Sequence, residues 1–201
     1  MTAWLEQYAL DDPIEQLRRW LKTAEQRGIT LSEGMALATV DAAGRPSCRV
    51  VLLKALDEAG LVFYTNYESR KAAELDANNH ACATFWWADL ERQVRVEGVT
   101  ERTDSATSDA YHAVRPRGSQ ISAWASPQSQ PIADRPALEQ LADRFAARFE
   151  GSDVPRPPYW GGYRLKPSRI EFWQGQARRL HDRLRYDRGP DGQWSITRLA
   201  P

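Results

Sequence analysis

Residues 49–71 read RVVLLKALDEAGLVFYTNYESRK, and this stretch decides the fold. Two apolar runs rich in strand formers, 49–56 and 61–66, flank the turn Asp57-Glu58-Ala59-Gly60, the pattern of an antiparallel hairpin. The second run feeds Ser69-Arg70-Lys71, which reads as a capped first turn of a helix. Four cations, Arg49, Lys54, Arg70 and Lys71, lie in or beside this segment. A charge buried among Val, Leu and Phe is costly unless a counter-charge meets it. The expected counter-charge is a phosphate at the strand-to-helix junction, where helix N–H groups point outward. The plain alternative is a helix start with solvated cations, an arrangement that opposes the helix dipole. Arg49 and Lys54 are five residues apart, so a regular strand points them to opposite faces. Without a bulge, either they serve two anions or one is a surface charge.

Outward from this hairpin the pattern stays local. Upstream, Asp12 caps a helix with Pro13 at its first position and Glu15 closing a capping box. Ile14, Leu17, Leu21 and Ala24 recur at helical spacing, and Gly28 ends the element. Residues 35–41 (MALATVD) form a strand, followed by the turn at 42–46. Downstream, 69–78 is a short helix, 80–88 is a strand rich in Thr, Phe and Trp, and 92–103 is a strand with clean alternation. Residues 104–114 are helical. The polar stretch RPRGSQISAWASPQSQP (115–131) reads as a long functional connection. Asp134 caps a helix bearing Leu138, Leu141, Phe145 and Phe149 on one face. Strands at 160–165, 169–174, 180–187 and 193–199 close the chain. About seven antiparallel strands with inserted helices make an α+β protein on a barrel. There is no βαβ rhythm and no GxGxxG, so a dinucleotide-binding Rossmann domain is not expected.

Composition narrows the function. The 201 residues suit one domain, with 1–11 as a short tail. The 27 basic and 27 acidic residues cancel, unlike a general nucleic-acid binder. No apolar run approaches the roughly 20 residues of a membrane span, and the start lacks a secretory pattern, so a cytoplasmic place is expected. Cys48 and Cys82 show no metal or redox spacing and read as reduced packing residues. Eight Trp is a high count, enough both to fill a core and to face a flat ligand. Arg179, His181 and Arg183 alternate in a second cationic cluster, one polar face of a strand suited to an anion. No hydrolase triad or metal-ligand spacing stands out.

Together these residues resemble the pyridoxamine 5′-phosphate oxidase family. The resemblance rests on RVVLLK (49–54), FYTN and SRKAAEL (63–75), RQVRVEG (92–98), RPRGSQISAWAS (115–126), EFWQG (171–175), RLHDR (179–183) and the terminal RLAP. It implies an FMN-binding split β-barrel and a homodimer whose two flavin sites lie between subunits. It implies FMN contacts at Arg49, Val50, Val51, Leu52, Leu53, Lys54, Tyr64, Thr65, Arg70, Lys71, Gln93, Gln128, Ser129, Trp173 and Arg183. Lys54, Tyr111, Arg115 and Ser119 are implied to hold the substrate phosphate, and Arg179 and His181 to meet the substrate near its ring as the catalytic pair. On this resemblance Arg49 serves the FMN phosphate while Lys54 lies toward the substrate.

The implied reaction is oxidation of pyridoxamine or pyridoxine 5′-phosphate to pyridoxal 5′-phosphate, with dioxygen reduced to hydrogen peroxide. The alternatives are a phenazine-type flavin oxidase on the same fold and a non-catalytic flavin-binding protein. Lys54, Arg115 and Ser119 favour a phosphorylated substrate over the first, and the RLHDR cluster argues against the second. Two departures are visible. An N-terminal Arg-x-x-Tyr arm common in the family is not apparent before Asp12, which implies a more open substrate pocket. Glu33-Gly34-Met35 also stands where Asn-Ala-Met is common.

Overall fold

The computed structural model describes residues 8–201. The expectation of a missing arm falls largely on residues 1–7, outside those described. The hairpin at 49–66 is present but subdivided. Strand β1 (Gly34–Val40) pairs with β2 (Pro46–Leu52), and a break at Leu53 and Lys54 precedes β3 (Ala55–Asp57), which turns back into β4 (Gly60–Asn66). The run 49–56 is therefore two strands, not one. Helix α2 (Arg70–Ala77) and strands β5 (His80–Trp87) and β6 (Arg92–Arg102) follow.

Three helices separate β6 from the last strands: α3 (Ser105–Ala113), α4 (Arg117–Ala125) and α5 (Arg135–Arg148). The stretch 115–131, expected as a loop, thus holds a helix. Its apolar side includes Trp124, which packs on Phe145 and Phe149, with ring centroids 5.7 and 5.5 Å away. Arg117 donates to the Phe149 and Ser152 carbonyls and so satisfies acceptors at the end of α5.

The sheet runs β2-β1-β5-β6-β7-β4-β3, all neighbours antiparallel. Strand β7 (Trp160–Gln174) is a single 15-residue strand where two had been expected. One of its edges takes β6 over almost its whole length. The other is shared: β4 pairs residues 160–165, and β8 (Asp182–Arg188) pairs residues 169–174. Strand β9 (Trp194–Arg198) completes the sheet against β8, giving nine strands rather than seven among the described residues. The changeover falls at Pro167, which has no N–H to give, opposite a register shift at Glu97/Gly98.

The curled sheet encloses one apolar cluster. Met35, Leu37, Phe63, Phe85, Val94, Leu165, Ile170, Phe172 and Leu184 are all buried in it, from six different strands. Helix α1 (Pro13–Gln26) covers this core with Ile14, Leu17 and Trp20, and the Trp20 ring meets Phe172 edge-on at 5.2 Å. Asp12 caps α1 by accepting from the Ile14 N–H at 2.8 Å, while Glu15 pairs with Arg18. Among the described residues no helix is long and apolar enough to cross a membrane.

The two cysteines are free. Both stand in register with Ala38, Cys48 on β2 and Cys82 on β5. They are thus two strand spacings apart, roughly 9–10 Å, beyond disulfide reach. Cys48 is exposed, so the reading of it as a packing residue is corrected for this chain.

Gly98 makes the strand changeover possible. A Cβ there would lie 2.0 Å from the Lys166 carbonyl oxygen, a backbone atom that cannot swing away. Gly98→Ala is expected to destabilise the fold by about 1–3 kcal/mol, as overpacking does. The check is the urea unfolding midpoint at unchanged m-value.

Candidate functional site

The break after β2 brings Arg49 and Lys54 to one place. Both line a cavity of about 340 Å³ with Val50, Val51, Leu52, Tyr64, Thr65, Lys71, Tyr111, Arg115, Gln128 and Trp160. Its wall carries four cations and no carboxylate. The parity conflict between Arg49 and Lys54 disappears because Leu53 leaves the strand and turns into the core.

One buried carboxylate organises the cations behind this wall. Glu74 sits on α2, 3 % exposed. It accepts from Arg70 Nε at 2.8 Å, Arg49 Nη2 at 3.0 Å, Ser47 Oγ at 2.6 Å and the Thr39 hydroxyl. Burial alone would raise this carboxyl, but the hydrogen bonds from Ser47, Thr39, Arg70 and Arg49 outweigh it and hold the group at about 2. The expected counter-charge is a phosphate, and the fold supplies an internal one as well in Glu74. Glu74 serves Arg49 and Arg70, and the exposed Arg70 is not among the residues that line the cavity.

Lys71 is different. Its buried ammonium donates to neutral oxygens: Thr65 Oγ1 at 2.9 Å, Gln128 Oε1 at 2.7 Å and Ser69 Oγ at 3.3 Å. Burial, reinforced by nearby Arg49, brings its pKa down to about 8. Ser69 stands at the N-cap position of α2, yet its side chain makes no capping bond to the backbone. Arg115 is also incompletely served, with Nη1 buried and without a hydrogen-bond partner. Tyr64 and Tyr111 stack at 3.9 Å, and burial raises both phenols. A phosphate-bearing aromatic ligand matches this combination of open cationic donors and parallel rings.

The remaining expected residues form a second group elsewhere in the chain. Cross-strand register places Gln93 opposite Trp173 and Trp173 opposite Arg183. The Trp173 ring lies 4.6 Å from that of His181. Arg183 is held by Glu171 at 2.8 Å and by the Ala200 carbonyl at 2.9 Å, and Arg198 of the terminal RLAP pairs with Asp182. Arg179 and His181, expected on the polar face of a strand, lie outside any strand because β8 starts only at Asp182. They belong to an irregular turn in which Arg178 and Arg179 both have positive φ. His181 Nδ1 accepts from the Gln176 N–H at 3.1 Å, which leaves the ring proton to Nε2. Ser119 lies in α4 and Ser129 is exposed, and neither lines the cavity.

None of these residues lines the cavity of the same chain, and Trp160 in the cavity wall and Trp173 stand near opposite ends of β7.

Comparison with known proteins fixes the lineage. A family profile described as pyridoxamine 5′-phosphate oxidase matches residues 21–149. A second, described as the pyridoxine 5′-phosphate oxidase C-terminal dimerisation region, matches residues 160–201. This chain belongs to the pyridoxamine 5′-phosphate oxidase family. It is 55 % identical over 190 residues to pyridoxine/pyridoxamine 5′-phosphate oxidase 1 of Ralstonia nicotianae, covering 94 % of this chain and 89 % of that one. It is 50 % identical over 201 residues to the pyridoxine/pyridoxamine 5′-phosphate oxidase of Cupriavidus metallidurans, covering 100 % and 94 %. Among solved structures, PhzG from Burkholderia lata, in complex with tetrahydrophenazine-1-carboxylic acid, superposes with TM-score 0.92 at 34 % identity, covering 99 % of this chain and 98 % of that one. A pyridoxamine 5′-phosphate oxidase-related, FMN binding protein from Nostoc punctiforme shares the fold at TM-score 0.75 and 18 % identity, covering 94 % and 98 %. The antiparallel sheet with its shared β7 edge is thus the split barrel of this oxidase family.

Two site residues escaped sequence reasoning. Glu74 lies four residues after Arg70, a helical spacing visible in the sequence, but its link to Arg49 crosses two elements. Trp160 was one of eight tryptophans with no local signal to single it out. Glu74→Gln should destabilise the protein at neutral pH by roughly 1–3 kcal/mol, because Arg49 and Arg70 lose their counter-charge. The folded carboxyl sits near 2 against an ordinary 4.5, so its contribution is complete above 4.5 and disappears as pH falls toward 2. The variant should lack this acid-side slope when unfolding free energy is measured against pH.

Proposed function

We propose that this chain, a single domain, is an FMN-dependent oxidase that converts pyridoxamine and pyridoxine 5′-phosphates to pyridoxal 5′-phosphate, with dioxygen as the electron acceptor and hydrogen peroxide as product. The observation that carries the reading is the cavity wall: four cations, no carboxylate, and a buried Arg115 nitrogen without a partner. The names of relatives 50–55 % identical over nearly the whole chain support it. The phenazine-type alternative is less favoured, since Lys54 and Arg115 together suit a phosphate dianion.

The residues fit FMN. Lys71 offers an ammonium bonded only to neutral oxygens, and Arg49 is fixed by Glu74 at the same wall. The backbone from Val50 through Leu53, with Tyr64, Thr65 and Gln128, would line the flavin, and Arg70 would add charge from behind. When bound, FMN accepts electrons from the substrate's 4′ carbon and passes them to dioxygen. Lys54, Tyr111 and Arg115 would hold the substrate phosphate, so that a remote contact fixes the reacting carbon, with Ser119 approaching from α4. Arg179 and His181 would align the substrate ring, the Nε2–H of His181 being free to donate.

Gln93, Trp173 and Arg183 do not line the Arg49 cavity of the same chain. We infer a homodimer in which one protomer supplies the cavity and its partner supplies this second group, with Arg179 and His181. The match of residues 160–201 to a dimerisation region supports this.

The test is turnover. Purified protein should carry FMN and release peroxide with pyridoxamine or pyridoxine 5′-phosphate, and Arg179→Ala and His181→Ala should lower kcat. A colourless protein that takes up no FMN would refute the reading. Lys71 supplies a second check. Near 8 in the ligand-free protein, it is charged below that pH and neutral above it. FMN affinity, followed by flavin fluorescence quenching, should hold steady up to about pH 7 and weaken as pH rises through 8. Lys71→Met should bind roughly tenfold more weakly at pH 7 and show no such decline.

A further inference from the structure

Trp160 has no role in the reading above, yet it meets two of the groups assigned to the substrate phosphate, Tyr111 and Arg115. It is the first residue of β7, in register with Asn66, and 6 % exposed. Its N–H donates to the Pro157 carbonyl at 3.1 Å, and its carbonyl accepts from Arg156 Nη1 at 2.7 Å. Its ring lies near-parallel to Tyr64 at 5.4 Å and to Tyr111 at 6.2 Å, and His112 meets it edge-on at 5.4 Å. A ring so enclosed has little freedom to turn. The Arg115 guanidinium carbon sits 4.5 Å from its centroid.

Among the described residues Arg115 forms no ion pair, and its buried Nη1 has no hydrogen-bond partner. A carboxylate in this position would fix the guanidinium but occupy its in-plane N–H groups and compete with an anionic ligand. An aromatic face attracts the cation through its quadrupole and leaves those N–H groups open. Glu74 shows the opposite solution for Arg49 in the same cavity wall.

We propose that Trp160 is a positioning residue for phosphate capture: its indole face, rather than a carboxylate, holds Arg115 extended at the cavity wall with its donors free. The proposal rests on the reading that Arg115 meets the substrate phosphate.

The experiment is a double-mutant cycle on the FMN-loaded enzyme, with pyridoxamine 5′-phosphate as substrate and inorganic phosphate as competitor. Trp160→Leu should raise KM about tenfold, raise the inhibition constant of inorganic phosphate by a similar factor, and move kcat less. Trp160→Phe, which keeps an aromatic face, should recover part of the loss. In the Arg115→Ala background Trp160→Leu should add nothing, because the group it positions is gone. An equal KM penalty in both backgrounds, or no penalty in either, would overturn the proposal while leaving the phosphate reading intact. If Arg115→Ala alone leaves KM unchanged, the phosphate reading fails and the proposal with it. Should Trp160→Leu not fold, the same cycle with Trp160→Phe decides, with a smaller factor.

Discussion

The site depends on how buried positive charge is neutralised. An ion taken out of water costs several kcal/mol unless a partner meets it, and this fold places Arg49, Arg70 and Lys71 around the junction of β4 and α2. Glu74 resolves most of that conflict. Its two oxygens receive Arg49 from β2, Arg70 from its own helix, and hydroxyls from β1 and β2. One carboxylate thereby ties the helix to the hairpin and fixes the cavity wall in a single arrangement. Among the cations it does not bond, Lys71 donates only to neutral oxygens and Arg115 keeps a buried nitrogen without a hydrogen-bond partner.

A second constraint is the edge of β7. Because β4 and β8 share it, the strand carries two different surroundings along its length. Its first half closes the cavity through Trp160, and its second half carries Trp173 among Gln93, His181 and Arg183. Gly98 and Pro167 make the changeover geometrically possible, one by lacking a Cβ and the other by lacking an N–H. Within one chain Gln93, Trp173, His181 and Arg183 do not line the cavity.

The local elements were legible in the sequence wherever a local rule decided them. Asp12-Pro13, Asp104 and Asp134 marked helix starts, and the alternation at 92–103 marked β6. Most of the cavity residues, from Arg49 to Gln128, could be named because their motifs occur together and in order. The composition also excluded a strongly charged nucleic-acid binder. These features depend on neighbours a few residues apart, and the chain alone specifies them.

The tertiary structure decided whatever depends on distant partners. The break at Leu53 that puts Arg49 and Lys54 at one cavity follows from β2 pairing with β1 and β3 pairing with β4. The fusion of 160–165 and 169–174 into one strand follows from β6 running along both. The helix within 115–131 forms because Trp124 finds Phe145 and Phe149 to pack on. The displacement of Arg179 and His181 from a strand into a turn follows from where β8 meets β7. Glu74 and Trp160 acquire their importance only through Arg49 and Arg115, 25 and 45 positions away in the sequence. Long-range pairing of this kind leaves no periodic trace in a single sequence, because each partner looks ordinary until the fold brings the other to it.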